Sequence, residues 1–158
     1  MITLEKSLRH MAWSNQQIFE AVATLPDEVF ILRASEGEWP VGKIMNHFIG
    51  SAEWYRFLLA GVKWQEVPKI TNSKILMQLK PYMFELDQLL IHEAAKPDSE
   101  VSFIGEDKET HRTTRSMVLA QSVSHAAEHK GQLATILRVH GYELNLDRFD
   151  LWNFESLT

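Results

Sequence analysis

The chain has 158 residues, 45% apolar and 23% charged, with a formal net charge of -5 and no cysteine. That length fits one domain with a complete core, read here as residues 1–158. Lack of cysteine excludes disulfides, thiolate metal ligands and a cysteine nucleophile, the absence of a basic block argues against nucleic acid as a partner, and no apolar run of 18 residues marks a membrane span. Met1-Ile2-Thr3-Leu4-Glu5-Lys6 lacks the pattern of a signal peptide. A cytoplasmic protein is the expectation.

Helical periodicity begins after Thr3, a good N-cap, with Leu4, Leu8, Met11, Ile18, Val22 and Leu25 on one stripe. Pro26 and Asp27 end it, and the segment with Gly37, Trp39, Pro40 and Gly42 reads as a loop. A second helix is predicted from near Pro40, where proline suits the first turn. Its inner face carries Ile44, His47, Phe48, Ser51, Trp54, Tyr55 and Leu58, and Gly61 caps it.

After a loop over 62–72, a third helix is expected beyond Ser73, striped by Ile75, Leu76, Leu79, Met83, Leu86, Leu89 and Leu90. Pro81 falls inside this pattern and predicts a kink or break; Pro97 stops the helix. Val101–Ile104 and Glu109–Thr113 flank Gly105–Lys108 as a short hairpin. The fourth helix is read from Thr114 to His140, capped by Gly141. Its stripe holds Val118, Ser122, His125, His129, Leu133, Ile136 and His140, widened by Leu119, Ala126 and Leu137. Leu144–Phe154 reads as a short helix or docked arm. Four helices of this length predict an all-α, four-helix-bundle fold.

His125 and His129 stand four apart, so both imidazoles lie on one helix face, about a turn from each other. Their helix stripe is apolar, where an uncommitted imidazole pair would cost desolvation. His47 lies on the apolar stripe of another helix. Three histidines from two helices suffice for a metal site with an open position. The alternative is that each is a core histidine bonded to a carbonyl, Tyr, Ser or Gln.

His125-Ala126-Ala127-Glu128-His129 also fits the H-x-x-E-H pattern of inverted zinc proteases, with Glu128 as base. Those enzymes need a downstream carboxylate ligand in a much larger chain, so Glu128 is read instead as a flanking, solvated carboxylate. His10, His92, His111 and His140 are read as structural, His140 beside a helix C-terminus. Of the five tryptophans, most are expected to anchor core or loops, although Trp54, two turns beyond His47, could wall a pocket above a metal.

Trp13-Ser14-Asn15, His47 with Glu53-Trp54, and above all His125-Ala126-Ala127-Glu128-His129-Lys130-Gly131-Gln132 resemble the DinB-like superfamily, also called DinB/YfiT-like metalloenzymes. The resemblance spans nearly the whole chain. It implies a four-helix bundle, commonly up-down-down-up and often a homodimer. It implies a metal triad of His47, His125 and His129 for zinc, nickel or iron, and a relation to bacillithiol- or mycothiol-using transferases and a mycothiol-dependent isomerase.

Three neutral imidazoles leave a divalent ion its full charge, enough to lower the pKa of a bound thiol or water. With no cysteine in the chain, thiol chemistry requires a low-molecular-weight thiol as cosubstrate for attack on a small electrophile. Backbone carbonyls, Ser51, Ser122 or Gln132 are the candidates to orient the rings. Metal-dependent hydrolysis, a non-catalytic metal-binding bundle of the stress response, and core histidines without metal are the rival expectations.

Overall fold

The computed structural model describes residues 2–155. It is predominantly helical, with four long helices and one two-stranded sheet: α1 (Leu4–Ala23), α2 (Val41–Ala60), α3 (Ser73–Ala94), β1 (Glu100–Ile104), β2 (Thr110–Thr114), α4 (Arg115–Val139) and α5 (Leu151–Glu155). Local chemistry sets the ends. Thr3 Oγ1 accepts from Lys6 N, Asn72 Oδ1 from Ile75 N, and Thr114 Oγ1 from Met117 N, each relieving an orphan donor of a first turn. At the end of α2, Gly61 takes φ 65°, a left-handed cap that glycine adopts without strain.

The third helix begins one residue earlier than the expectation, because Asn72 rather than Ser73 caps it. It also runs unbroken through Pro81. Pro81 is exposed, and the carbonyl that loses its partner belongs to Met77, also exposed, so water can satisfy it.

The helices share one apolar cluster. Leu8, Ile18 and Phe19 of α1, Met45 and Ile49 of α2, Leu76, Met83 and Leu86 of α3, and Leu119, Leu133 and Leu137 of α4 are all essentially inaccessible. α1 packs most extensively on α3, and α2 lies against both α4 and α3. The tail docks on α1: the His10 ring meets Phe149 O at 2.8 Å, and Trp13 packs against Phe149 and Phe154. No helix among the described residues is long and apolar enough to cross a membrane.

The hairpin is antiparallel, pairing Glu100 with Thr114 and Phe103 with His111, so its second strand lies one residue beyond the predicted span. β1 contacts α2, and β2 contacts α4.

Two devices press the 61–70 loop onto α2. At Gly42 a Cβ would stand 2.3 Å from Ile70 O and 3.0 Å from Phe30 O, both backbone atoms, so only glycine permits this approach. Glu53, fully buried, accepts from Arg56 Nε (2.6 Å), Tyr82 Oη (2.6 Å) and Gln65 N (2.6 Å), while Arg56 also reaches Lys63 O at 2.7 Å. Burial alone would raise the Glu53 carboxyl, but these donors outweigh it and hold the group below its ordinary value.

Replacing Glu53 with alanine leaves several donors without their acceptor. The expected cost is roughly 2–4 kcal/mol in denaturant unfolding, with faster proteolysis inside the 61–70 loop. Unchanged stability and unchanged cleavage would show that the carboxylate does not clamp the loop.

Candidate metal centre

Packing of α2 on α4 brings His47 opposite His125 and His129. His47 Nε2 is 3.2 Å from His125 Nε2, and His129 Nε2 is 3.0 Å from the same atom. The ligand atoms of all three lie within 4.8 Å of one another. A tetrahedral ion with metal–nitrogen bonds of roughly 2.0–2.1 Å spaces its donors by about 3.3 Å, close to these separations. The group could hold a metal ion.

His129 is buried, whereas His47 and His125 are half-buried, so the face is less enclosed than the stripe alone predicts. The exposed edge follows from two cavities that flank the histidines. One, of ≈ 680 Å³, is lined by all three rings with Glu38, Trp39, Glu128 and Gln132 among others. The second, of ≈ 910 Å³, shares Trp39 and His47 with it. The edge of Trp39 abuts His47, with ring centroids 4.9 Å apart.

Burial favours the neutral forms of His47 and His125. Burial, then the neighbouring His129 and His47 rings, pushes His125 down to about 4. Burial and His129 also lower His47. Gln132 sets the orientation of the third ring: its Oε1 lies 2.8 Å from His129 Nδ1, while its Nε2 donates to Glu128 Oε1 at 3.3 Å. That pairing places the His129 proton on Nδ1 and leaves the Nε2 lone pair facing the other rings.

The remaining sequence candidates divide. Gln132 is bonded to His129 as expected of an orienting residue. Ser51 Oγ lies 3.4 Å from His47 Nε2, on the same nitrogen that faces His125. Ser122 Oγ instead donates to Leu119 O, a bond within its own helix. Glu128 is exposed at the cavity wall. Trp54 is half-buried and lines the second cavity. His111 pairs with Asp107 in the hairpin, His140 reaches Arg33 O at 2.9 Å, and exposed His92 lies in the last turn of α3; none belongs to the three-histidine group.

Behind the histidines lies a polar layer that the stripes did not reveal. Asn15 Nδ2 donates to both Asp87 oxygens at 3.0 Å, and Lys130 Nζ donates to Ser14 Oγ. All four residues are buried. Burial raises Asp87 to about 7 against the opposing pull of Asn15 and Lys130, and lowers Lys130 to about 8. A void of ≈ 10 Å³, about the size of one water, touches Asn15, Asp87, Ser122 and His125. The available signal was Asp87 between Met83 and Leu90 on the α3 stripe, and Lys130 beside His129.

Fold and site together define the class: a predominantly helical protein whose three-histidine group could hold a metal beside two open cavities. The model of the DinB family matches residues 1–153, and the chain belongs to that family. A search of curated proteins finds no match.

The depressed His125 value predicts the pH response of metal-free protein. In the unfolded chain this ring protonates near 6.5, but in the fold only near 4, so the unfolded state binds more protons between those values. Stability from this group is fully present above pH 6.5 and declines as pH falls toward 4. Denaturant unfolding at pH 7.5, 5.5 and 4.5 should show a shallower decline for His125→Gln, which cannot titrate there; parallel profiles would refute the assignment.

Proposed function

We propose that His47, His125 and His129 ligate one divalent ion, zinc, nickel or iron, and that the protein transfers a low-molecular-weight thiol of the bacillithiol type to a small electrophile. The observation that carries this reading is the convergence of three imidazole nitrogens at metal-ligand spacing, on a face open to two cavities.

A divalent ion held there would lower the pKa of a thiol reaching its free position. The chain's own residues supply the rest. His47, His125 and His129 act as ligands only. Gln132 orients His129, and the half-buried setting limits competing water. Because the sequence has no cysteine, the sulfur must come from the cosubstrate. In the transfer, a sulfur–carbon bond forms, the leaving group departs with the bonding pair, and the thiol proton passes to solvent.

We propose with it a single-domain four-helix bundle in up-down-down-up order. Residues 61–72 extend up to about 40 Å, enough to return along α2, whose 20 residues span about 30 Å, and start α3 parallel to it. We further propose a cytoplasmic homodimer with small-molecule partners and no nucleic-acid or membrane partner.

Elemental mass spectrometry on untagged protein should find about one ion per chain, lost in His129→Ala. Loaded protein should accelerate conjugation of thiols to model electrophiles. Turnover of an ester or amide without added thiol would redirect the reading to hydrolysis. A metal-dependent rise in melting temperature with no turnover would make the site structural. Gln132→Leu should weaken metal affinity roughly 10-fold while leaving metal-free stability near the parent's; equal affinity would remove Gln132 from the site's support.

A further inference from the structure

We propose that the ≈ 910 Å³ cleft between α2, the 61–70 loop and β1 binds a planar, apolar aromatic molecule and presents it to the histidine group. Its volume falls in the range of small-molecule sites, roughly 300–1,000 Å³. Its walls include Trp39, Trp54, Trp64 and Phe103, and His47 is part of the lining.

These rings are not core residues with leftover exposure. Trp64 and Trp39 are 44% and 38% exposed, although burial of indole is strongly favourable. Three of the four wall rings are held by a further partner. Phe103 stacks on His111 with centroids 5.5 Å apart, Trp54 stacks on Phe57 at 5.5 Å, and Lys43 Nζ sits 4.2 Å from the Trp39 ring centre. Trp54 meets Phe103 at 90° and Trp64 at 60°, so the walls are mutually inclined, as the sides of a slot are. The walls come from four separate chain segments. The hairpin supplies Phe103, the clamped loop supplies Trp64, α2 supplies Trp54, and the segment ahead of α2 supplies Trp39.

Charge does not select the occupant. Lys43 and Lys69 are balanced at the rim by Glu66 and Glu106, so the cleft favours neither sign and discriminates by flatness and apolar surface. The other cavity carries charge of one sign apart from the histidines: Glu38 and Glu128 line it, with no lysine or arginine. The histidines therefore border an aromatic, charge-balanced opening and a second one whose charged side chains, the histidines aside, are acidic. Assigning the planar molecule as electrophile, with the thiol entering from the other cavity, rests on the transfer reading above; the binding itself needs neither metal nor thiol.

The chain carries its own controls, because it has five tryptophans and only three line the cleft. Trp13 packs against the docked tail, and Trp152 is 81% exposed. Neutral 2-naphthol should be titrated into ¹⁵N-labelled protein, with and without metal, following the five indole N–H signals. Saturable shifts are expected for Trp39, Trp54 and Trp64, with Trp13 and Trp152 unmoved, and cyclohexanol should produce none of them. Trp64→Ala, at an exposed loop position, and Phe103→Leu should each weaken binding roughly 2- to 12-fold.

Absence of saturation, equal movement of all five signals, or shifts that track protein concentration instead of ligand would overturn the proposal, the last by assigning this face to self-association. The two readings fail separately. Selective indole shifts without thiol conjugation would sink the transfer reading and leave the cleft. Conjugation of aliphatic and aromatic electrophiles at equal rates, with silent indoles, would do the reverse.

Discussion

The site depends on one constraint: α2 must lie against α4 closely enough for His47 to enter the space between His125 and His129. Apolar packing imposes that distance. Ile44, Phe48 and Ala52 on α2 and Ala126, Leu133 and Ile136 on α4 are buried around the rings, and Phe48 itself approaches His129, with centroids 6.4 Å apart. The same packing withdraws water from the imidazoles and keeps His47 and His125 unprotonated. Three cations could not share this space, whereas three neutral donors can, and a positive ion among them is what such a set of lone pairs favours.

Behind this face, Ser14, Asn15, Asp87 and Lys130 form a buried polar layer linking α1, α3 and α4. Groups of this kind add little net stability over apolar packing, but an unpaired one is costly, so they penalise any register that separates them. Lys130 neighbours His129 in the chain, and Asn15 and Asp87 share a small void with His125. The rotation of α4 about its axis is thereby tied to both sides of the molecule: the histidines on one, the lysine on the other.

The aromatic cleft depends on different forces. The loop that carries Trp64 has little apolar burial of its own; it is held by the Glu53 cluster, by the close approach at Gly42, and by Asn46 Nδ2 donating to Pro68 O at 2.8 Å. The hairpin supplies the other wall. From its size it promises little to the core, yet it places Phe103 against Trp54. Elements marginal to folding thus shape the surroundings of the histidines, as expected of loops and edges arranged on a rigid helical scaffold.

Helical periodicity, caps at Thr3 and Gly61, and the punctuation by Pro26 and Pro97 carried the four helices, because those signals are local and follow from backbone geometry. The spacing of His125 and His129 was equally legible, since residues four apart share a helix face in any context, and the place of His47 on the apolar stripe of another helix, together with the family resemblance, pointed to it as the third partner. The convergence of His47, the orientation of His129 by Gln132, the diversion of Ser122 to its own backbone, and the partners of Asp87 and Glu53 were decided only by tertiary structure. Each depends on how far apart, and at what rotation, two separately coded helices come to rest. Periodicity says which face is buried, but the packing of many side chains together determines what that face meets.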